Sequence, residues 1–116
     1  MFILSLEIDV VERHQAYELL VQMEGQLKAL NLWQQRYPAL EALASREPFC
    51  ADTLSFEQWL QFVLIPRMSA LLAGGHDLPT TIAVAPMAEQ ALAPLGPAAD
   101  DLIATIGAFD ALLSGG

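Results

Sequence analysis

The chain has 116 residues, 54% of them hydrophobic and 16% charged, with a net charge of −9 and a mean hydropathy of +0.40. That length makes one domain able to bury a core without disulfides or metals, and the single cysteine, Cys50, excludes an intrachain disulfide and suits a reducing compartment. All five basic residues (Arg13, Lys28, Arg36, Arg46 and Arg67) lie at or before position 67, whereas Asp77, Glu89, Asp100, Asp101 and Asp110 follow it, so the second half cannot neutralise phosphates and direct nucleic-acid binding is not expected.

The start, Met1 to Leu6, is apolar but short, lacks a basic region and runs at once into Glu7 and Asp9, so it is not a signal peptide pattern. No apolar run reaches the roughly 20 residues of a membrane span. The expected location is the cytoplasm. High apolar and low charged content, against about 45–50% and 25% in ordinary domains, leaves two expectations. Either the core is unusually complete, or an apolar face is covered by a partner, a second copy in a homodimer included.

Periodicity places a first helix from about Leu6 to about Leu32, with residues 1–12 as an N-terminal extension of that helix. Ile8, Val11, Leu19, Leu20, Met23, Leu27 and Leu30 form its apolar stripe. A connection punctuated by Pro38 and Pro48 follows, with a helical turn expected over Pro38 to Leu43. A second long helix begins at Ser55, where Ser55 and Gln58 fit a capping box and Asp52 and Thr53 are rival caps. Its body, Trp59 to Ile65 and then Met68, Leu71 and Leu72, is apolar nearly all round, which predicts a central position. Pro66 cannot donate to the Phe62 carbonyl and its ring crowds that oxygen, so a kink is expected there before Gly74-Gly75 ends the helix.

The β-branched stretch from Asp77 to Ala85 has no partner strand and predicts an extended connection. Pro86 opens a short helix to about Leu95, and Pro97 opens the last one, whose stripe is Leu102, Ile103, Ile106, Phe109, Leu112 and Leu113. The fold class is therefore all-α, a four-helix antiparallel bundle-like single domain over residues 1–116, with the central helix kinked at Pro66.

No catalytic residue, cofactor or metal site is assigned. His14 and His76 lack neighbours at ligand spacing, Cys50 is expected as an incidental thiol, and Gly74-Gly75 lacks the Lys-Ser/Thr of a phosphate loop. The most unusual stretch is WLQFVLIPRM, Trp59 to Met68. Its plain reading is a kinked core helix. Gln61 and Arg67 are its polar groups: buried, they require partners, with Asp52 or Glu89 available to Arg67; exposed beside Trp59, Arg67 fits an interface hot spot. The candidate binding residues are thus Asp52, Trp59, Gln61, Arg67 and Glu89.

Pro48-Phe49, Asp52-Thr53, the run from Trp59 to Met68, Leu78-Pro79, Ala83-Val-Ala-Pro86, Glu89 and Ala91-Leu92 together resemble the YqcC-like family of small bacterial proteins, over roughly Arg13 to Leu113. The resemblance implies a four-helix domain and, because family genes adjoin its gene, an association with tRNA pseudouridine synthase C. It carries no catalytic residues. The expected function is a non-enzymatic accessory protein that docks on a partner, that enzyme foremost, its acidic body suiting a basic RNA-handling protein better than RNA itself. The alternative is a small-molecule-binding or catalytic module with a polar pocket around Asp52, Arg67 and Glu89.

Overall fold

The computed structural model describes residues 2–114, and their side chains from Val10 onward. Among the described residues there are six α-helices: α1 (Phe2–Ala29), α2 (Leu40–Leu43), α3 (Phe56–Trp59), α4 (Ile65–Ala73), α5 (Ala85–Ala91) and α6 (Asp100–Leu113). Among the described residues there is no strand. Residues 77–84 carry neither helix nor strand, as the connection between the second and third helical regions.

On α1 the fully buried side chains are Ala16, Leu20, Met23 and Leu27, steps of four, three and four that keep one face towards the core. Leu19 and Leu30 pack beside them. Val11 is a correction to the expected stripe, being 54% exposed. It lies five residues before Ala16, a step that turns it well away from the buried face. Ile8 lies outside the described side chains. Asn31, at φ 59°, ends the helix with a paired cap: Leu32 N–H donates to the Leu27 carbonyl at 2.9 Å and Asn31 N–H to that of Lys28 at 3.1 Å.

The second long helix is one rod made of α3, a π-helical turn over Leu60–Leu64, and α4. Ser55 caps it, accepting the Gln58 N–H at 3.3 Å while Gln58 Oε1 accepts the Ser55 N–H at 2.8 Å. The rival caps act elsewhere: Asp52 accepts from the Ser45 hydroxyl, and Thr53 Oγ1 donates to the Ala42 carbonyl. The rod runs through Pro66, and the π turn directly before the proline carries the irregularity, with the Ile65 N–H bonded to the Leu60 carbonyl five residues back. Leu60, Leu64 and Met68, at steps of four, keep one face of the rod buried, Met68 at 5% exposure, while Arg67 is exposed. The rod ends as expected at Gly74-Gly75, with Gly75 at φ 71°.

Three pairs of contacts fix an antiparallel packing. The Arg13 guanidinium, near the start of α1, reaches the end of α4, and Gln34, just past α1, bonds to Gln61 near the start of the rod. Asp110, late in α6, bonds to Ala85 at the start of α5. The core joins Leu60, Leu64 and Met68 to the α1 face, to Val84, Ala88 and Leu92, and to Leu102, Ile106, Phe109 and Leu113 of α6. The rod is buried along one side only, with Pro66, Arg67 and Ala70 exposed, so it flanks the core rather than occupying its centre. The last helix begins at Asp100 and not at Pro97, which falls in a 3-10 stretch over Ala93–Ala99 broken by Gly96 at φ 60°.

Candidate functional site

The exposed Arg67 lines a cleft of about 280 Å³. One wall is the rod, with Trp59, Val63, Leu64, Arg67 and Met68; the other is the segment Thr81 to Val84, and Phe49 closes one end. Phe49 and Cys50 sit at φ 60° and 49°, the left-handed region that costs a residue with a side chain about 1–2 kcal/mol. A 3-10 turn over Pro48–Cys50 and the bond from Leu54 N–H to the Cys50 carbonyl, 2.8 Å, hold this conformation. It delivers two packing contacts: the Cys50 side chain is buried, and the Phe49 ring meets Trp59 edge-on at 4.8 Å. Phe56 stacks on Trp59 from a centroid distance of 6.2 Å. The indole is therefore held between two rings, half-buried, with part of its surface in the cleft.

Gln61 is buried at 6% exposure within the π turn. Its amide pairs with the Gln34 backbone in both directions: Nε2 donates to the Gln34 carbonyl and Oε1 accepts the Gln34 N–H, each at 2.8 Å. Gln58 Nε2 adds a bond to Gln34 Oε1 at 3.1 Å. This clasp pins the chain as it leaves α1 and satisfies a polar group that burial would otherwise penalise. Gln61 is thus a structural fastener rather than part of the cleft surface.

The five candidate residues do not form one site. Trp59 and Arg67 share the cleft and Gln61 lies behind it. Asp52 is exposed and accepts a hydrogen bond from Ser45, and Glu89 is exposed on α5. No ion pair joins Arg67 to either acid among the described residues, and neither acid lines the cleft. The expected polar pocket around Asp52, Arg67 and Glu89 is therefore not assembled, because Arg67 shares its cleft with the 81–84 segment and not with either acid. The cleft's lining contains no acid, thiol or imidazole, so it offers an apolar floor and one guanidinium, not an acid–base pair.

Two further polar arrangements escaped sequence reasoning. Arg13 donates to the carbonyls of His76 at 2.9 Å and of Leu71 and Leu72 at 3.3 Å, placing its charge at the carbonyl end of α4. Asp110 Oδ2 accepts the Ala85 N–H at 2.7 Å, at the start of α5. Partners 25 to 63 residues apart leave no local spacing signal. Elsewhere, Val10, Tyr17 and Val21 are 65%, 53% and 53% exposed on α1. They follow one another at steps of seven and four, an apolar strip facing solvent.

Fold and cleft together define a small all-helical domain with an apolar, singly cationic groove. A family model described as tRNA pseudouridine synthase C (DUF446) matches residues 15–112, and the chain belongs to this YqcC-like family. It is 50% identical over 80 residues to an uncharacterized protein of Haemophilus influenzae, covering 69% of this chain and 76% of that one. It is 38% identical over 92 residues to protein YqcC of Escherichia coli, covering 79% and 84%. The solution NMR structure of that YqcC superposes with a TM-score of 0.78 at 35% identity, over 89% of this chain and 88% of that one. A protein of Pectobacterium carotovorum named tRNA pseudouridine synthase C is 42% identical over 66 residues, which is 57% of this chain and 18% of that protein. No described helix is long and apolar enough to cross a membrane.

Proposed function

We propose that this chain is a non-enzymatic accessory domain that binds a tRNA pseudouridine synthase through protein contacts, in the cytoplasm, and does not itself hold the tRNA. The carrying observation is the Pectobacterium match. A stretch 42% identical to 66 residues here occupies 18% of a protein bearing that enzyme's name, with much further sequence in the same polypeptide. Two units joined covalently in one protein are held together at high effective concentration, as a docked pair is by its contacts. Charge supports the second half of the reading. Arg13 is engaged with α4 carbonyls, and Lys28 bonds Glu24 at 2.8 Å and stands over the Trp33 ring, leaving few cations for phosphate in a chain of net charge −9. The test is gel filtration of the purified, nuclease-treated pair: co-elution is expected, and separate elution overturns the reading. Tight tRNA binding by the isolated chain at about 0.15 M salt overturns its RNA-independence.

The exposed strip of Val10, Tyr17 and Val21 favours a second reading, self-association through α1 as a homodimer. Sedimentation at increasing concentration checks it, and a monomer throughout overturns it.

A further inference from the structure

We propose that the cleft between Trp59 and Ile82 is a docking groove for a peptide segment of the partner protein, one in which a large apolar side chain stands close to a carboxylate. Only the identity of the protein carrying that segment rests on the accessory reading above.

The floor supplies the apolar half of the recognition. Trp59 is fixed by Phe49 and Phe56, so little side-chain freedom remains to be lost when it is covered. Val63 lines the same wall as Trp59, and Ile82 lines the opposite one. Arg67 supplies the charge. It is exposed, bonded to no described residue, and lines this cleft. Its setting sharpens the preference. A carboxylate approaching a body of net charge −9 is repelled over most of the surface and attracted where the guanidinium stands, so one ion pair sets both register and orientation. Arg also offers two parallel N–H donors matched to a carboxylate.

The opposite wall favours a chain over a small molecule. Thr81, Ile82 and Ala83 line the groove, and their backbone N–H groups donate to no acceptor among the described residues. An incoming main chain presents carbonyls to such donors. A small-molecule site, by contrast, encloses most of its ligand, whereas Trp59 and Arg67 stand at an open surface here. Strain points to the same place: Phe49 and Cys50 are both left-handed, and such residues persist where surrounding packing over-determines them, often at ligand clamps.

The test pans a random-heptapeptide phage library against the intact chain and measures the recovered peptides, synthesised, by the protein's tryptophan fluorescence and by amide chemical shifts. Enriched peptides should carry Asp or Glu within a few positions of Trp, Phe or Leu, and should shift Trp59 and residues 81–83. Arg67→Glu, at an exposed position that leaves the fold intact by circular dichroism, should weaken them by about tenfold or more. Replacing the peptide's acid by Lys should restore binding to that variant. Ile82→Glu on the facing wall should weaken binding to both. Failure of any peptide to enrich, or binding indifferent to Arg67→Glu, overturns the groove. The enzyme is tested separately. A wild-type complex undisturbed by Arg67→Glu overturns the groove and spares the accessory reading. Absence of any wild-type complex overturns the accessory reading, while the peptide result still decides the groove.

Discussion

On α1 and α6 the buried apolar side chains recur at steps of four, three and four: Ala16, Leu20, Met23 and Leu27 on one, Leu102, Ile106, Phe109 and Leu113 on the other. Across the molecule, around Trp59, the backbone is irregular, with a π turn at Leu60–Leu64, left-handed Phe49 and Cys50, and the segment 77–84 without regular structure. The first region spends its apolar side chains on a closed core. The second leaves Trp59 half-covered and Arg67 in solvent. The difference teaches that regular helix pairing and an accessible apolar surface are separate achievements of this chain, and that the second depends on deviations from ideal geometry.

The largest effect tests that division directly. Phe109 is fully buried in the core, so Phe109→Ala should cost about 3–5 kcal/mol in urea unfolding. Arg67→Glu should stay within about 0.5 kcal/mol of wild type. Comparable losses from the two would mean that the cleft is part of the stability core and the division is false.

Gln61 is the exception within the irregular region, a buried polar group doing structural duty. Gln61→Leu keeps the volume and removes both bonds to Gln34, with an expected cost of about 1–2 kcal/mol. Amide exchange should accelerate at Gln34 before it does on α6. Unchanged exchange at Gln34 would show that the clasp is dispensable. Next in size, Arg13→Ala uncovers the carbonyls of Leu71, Leu72 and His76 and should cost about 1–2 kcal/mol, with early fraying of α4 seen by the same exchange measurement.

What was legible in the sequence follows this same divide. The α6 stripe, the Ser55–Gln58 capping box and the Gly74-Gly75 stop are local signals, and the structure carries each of them. Pro66 announced a disturbance, because a missing N–H and a crowded carbonyl are local facts too. Its form was not announced. A π turn differs from an α turn only in its hydrogen-bond register, and no residue from Leu60 to Leu64 marks that difference in the sequence. The grouping of Asp52 and Glu89 with Arg67 fails because contact between residues so far apart along the chain has no local signal. Gln61 stands out in the sequence as a group needing partners, and its partner, 27 residues earlier, lies in a segment with no pattern of its own.

The smallest expected effect concerns Asp110 and is visible only as pH varies. This side chain is half-buried on α6, its Oδ2 accepting the Ala85 N–H while Oδ1 is buried without a partner among the described residues. Burial pushes its pKa above the ordinary 3.8, and the backbone N–H groups of Ala85 and Val84 offset this only in part. The folded state therefore holds the Asp110 proton more tightly than the unfolded chain does. By linkage, the stability this group contributes is fully present below pH 3.8 and declines as pH rises through its raised pKa. Asp110→Asn keeps an oxygen for the Ala85 N–H and cannot ionise. Urea midpoints measured from acid to neutral pH should thus shift in favour of the variant as pH rises, relative to wild type. Asp110→Ala should show the same drift relative to wild type but lie about 1 kcal/mol below the Asn variant at every pH, because the start of α5 loses its acceptor. If wild type gains on the Asn variant as pH rises, the charged carboxylate is stabilising the α5 terminus more than burial penalises it. The α5–α6 junction would then belong with the regular, well-satisfied half of the molecule.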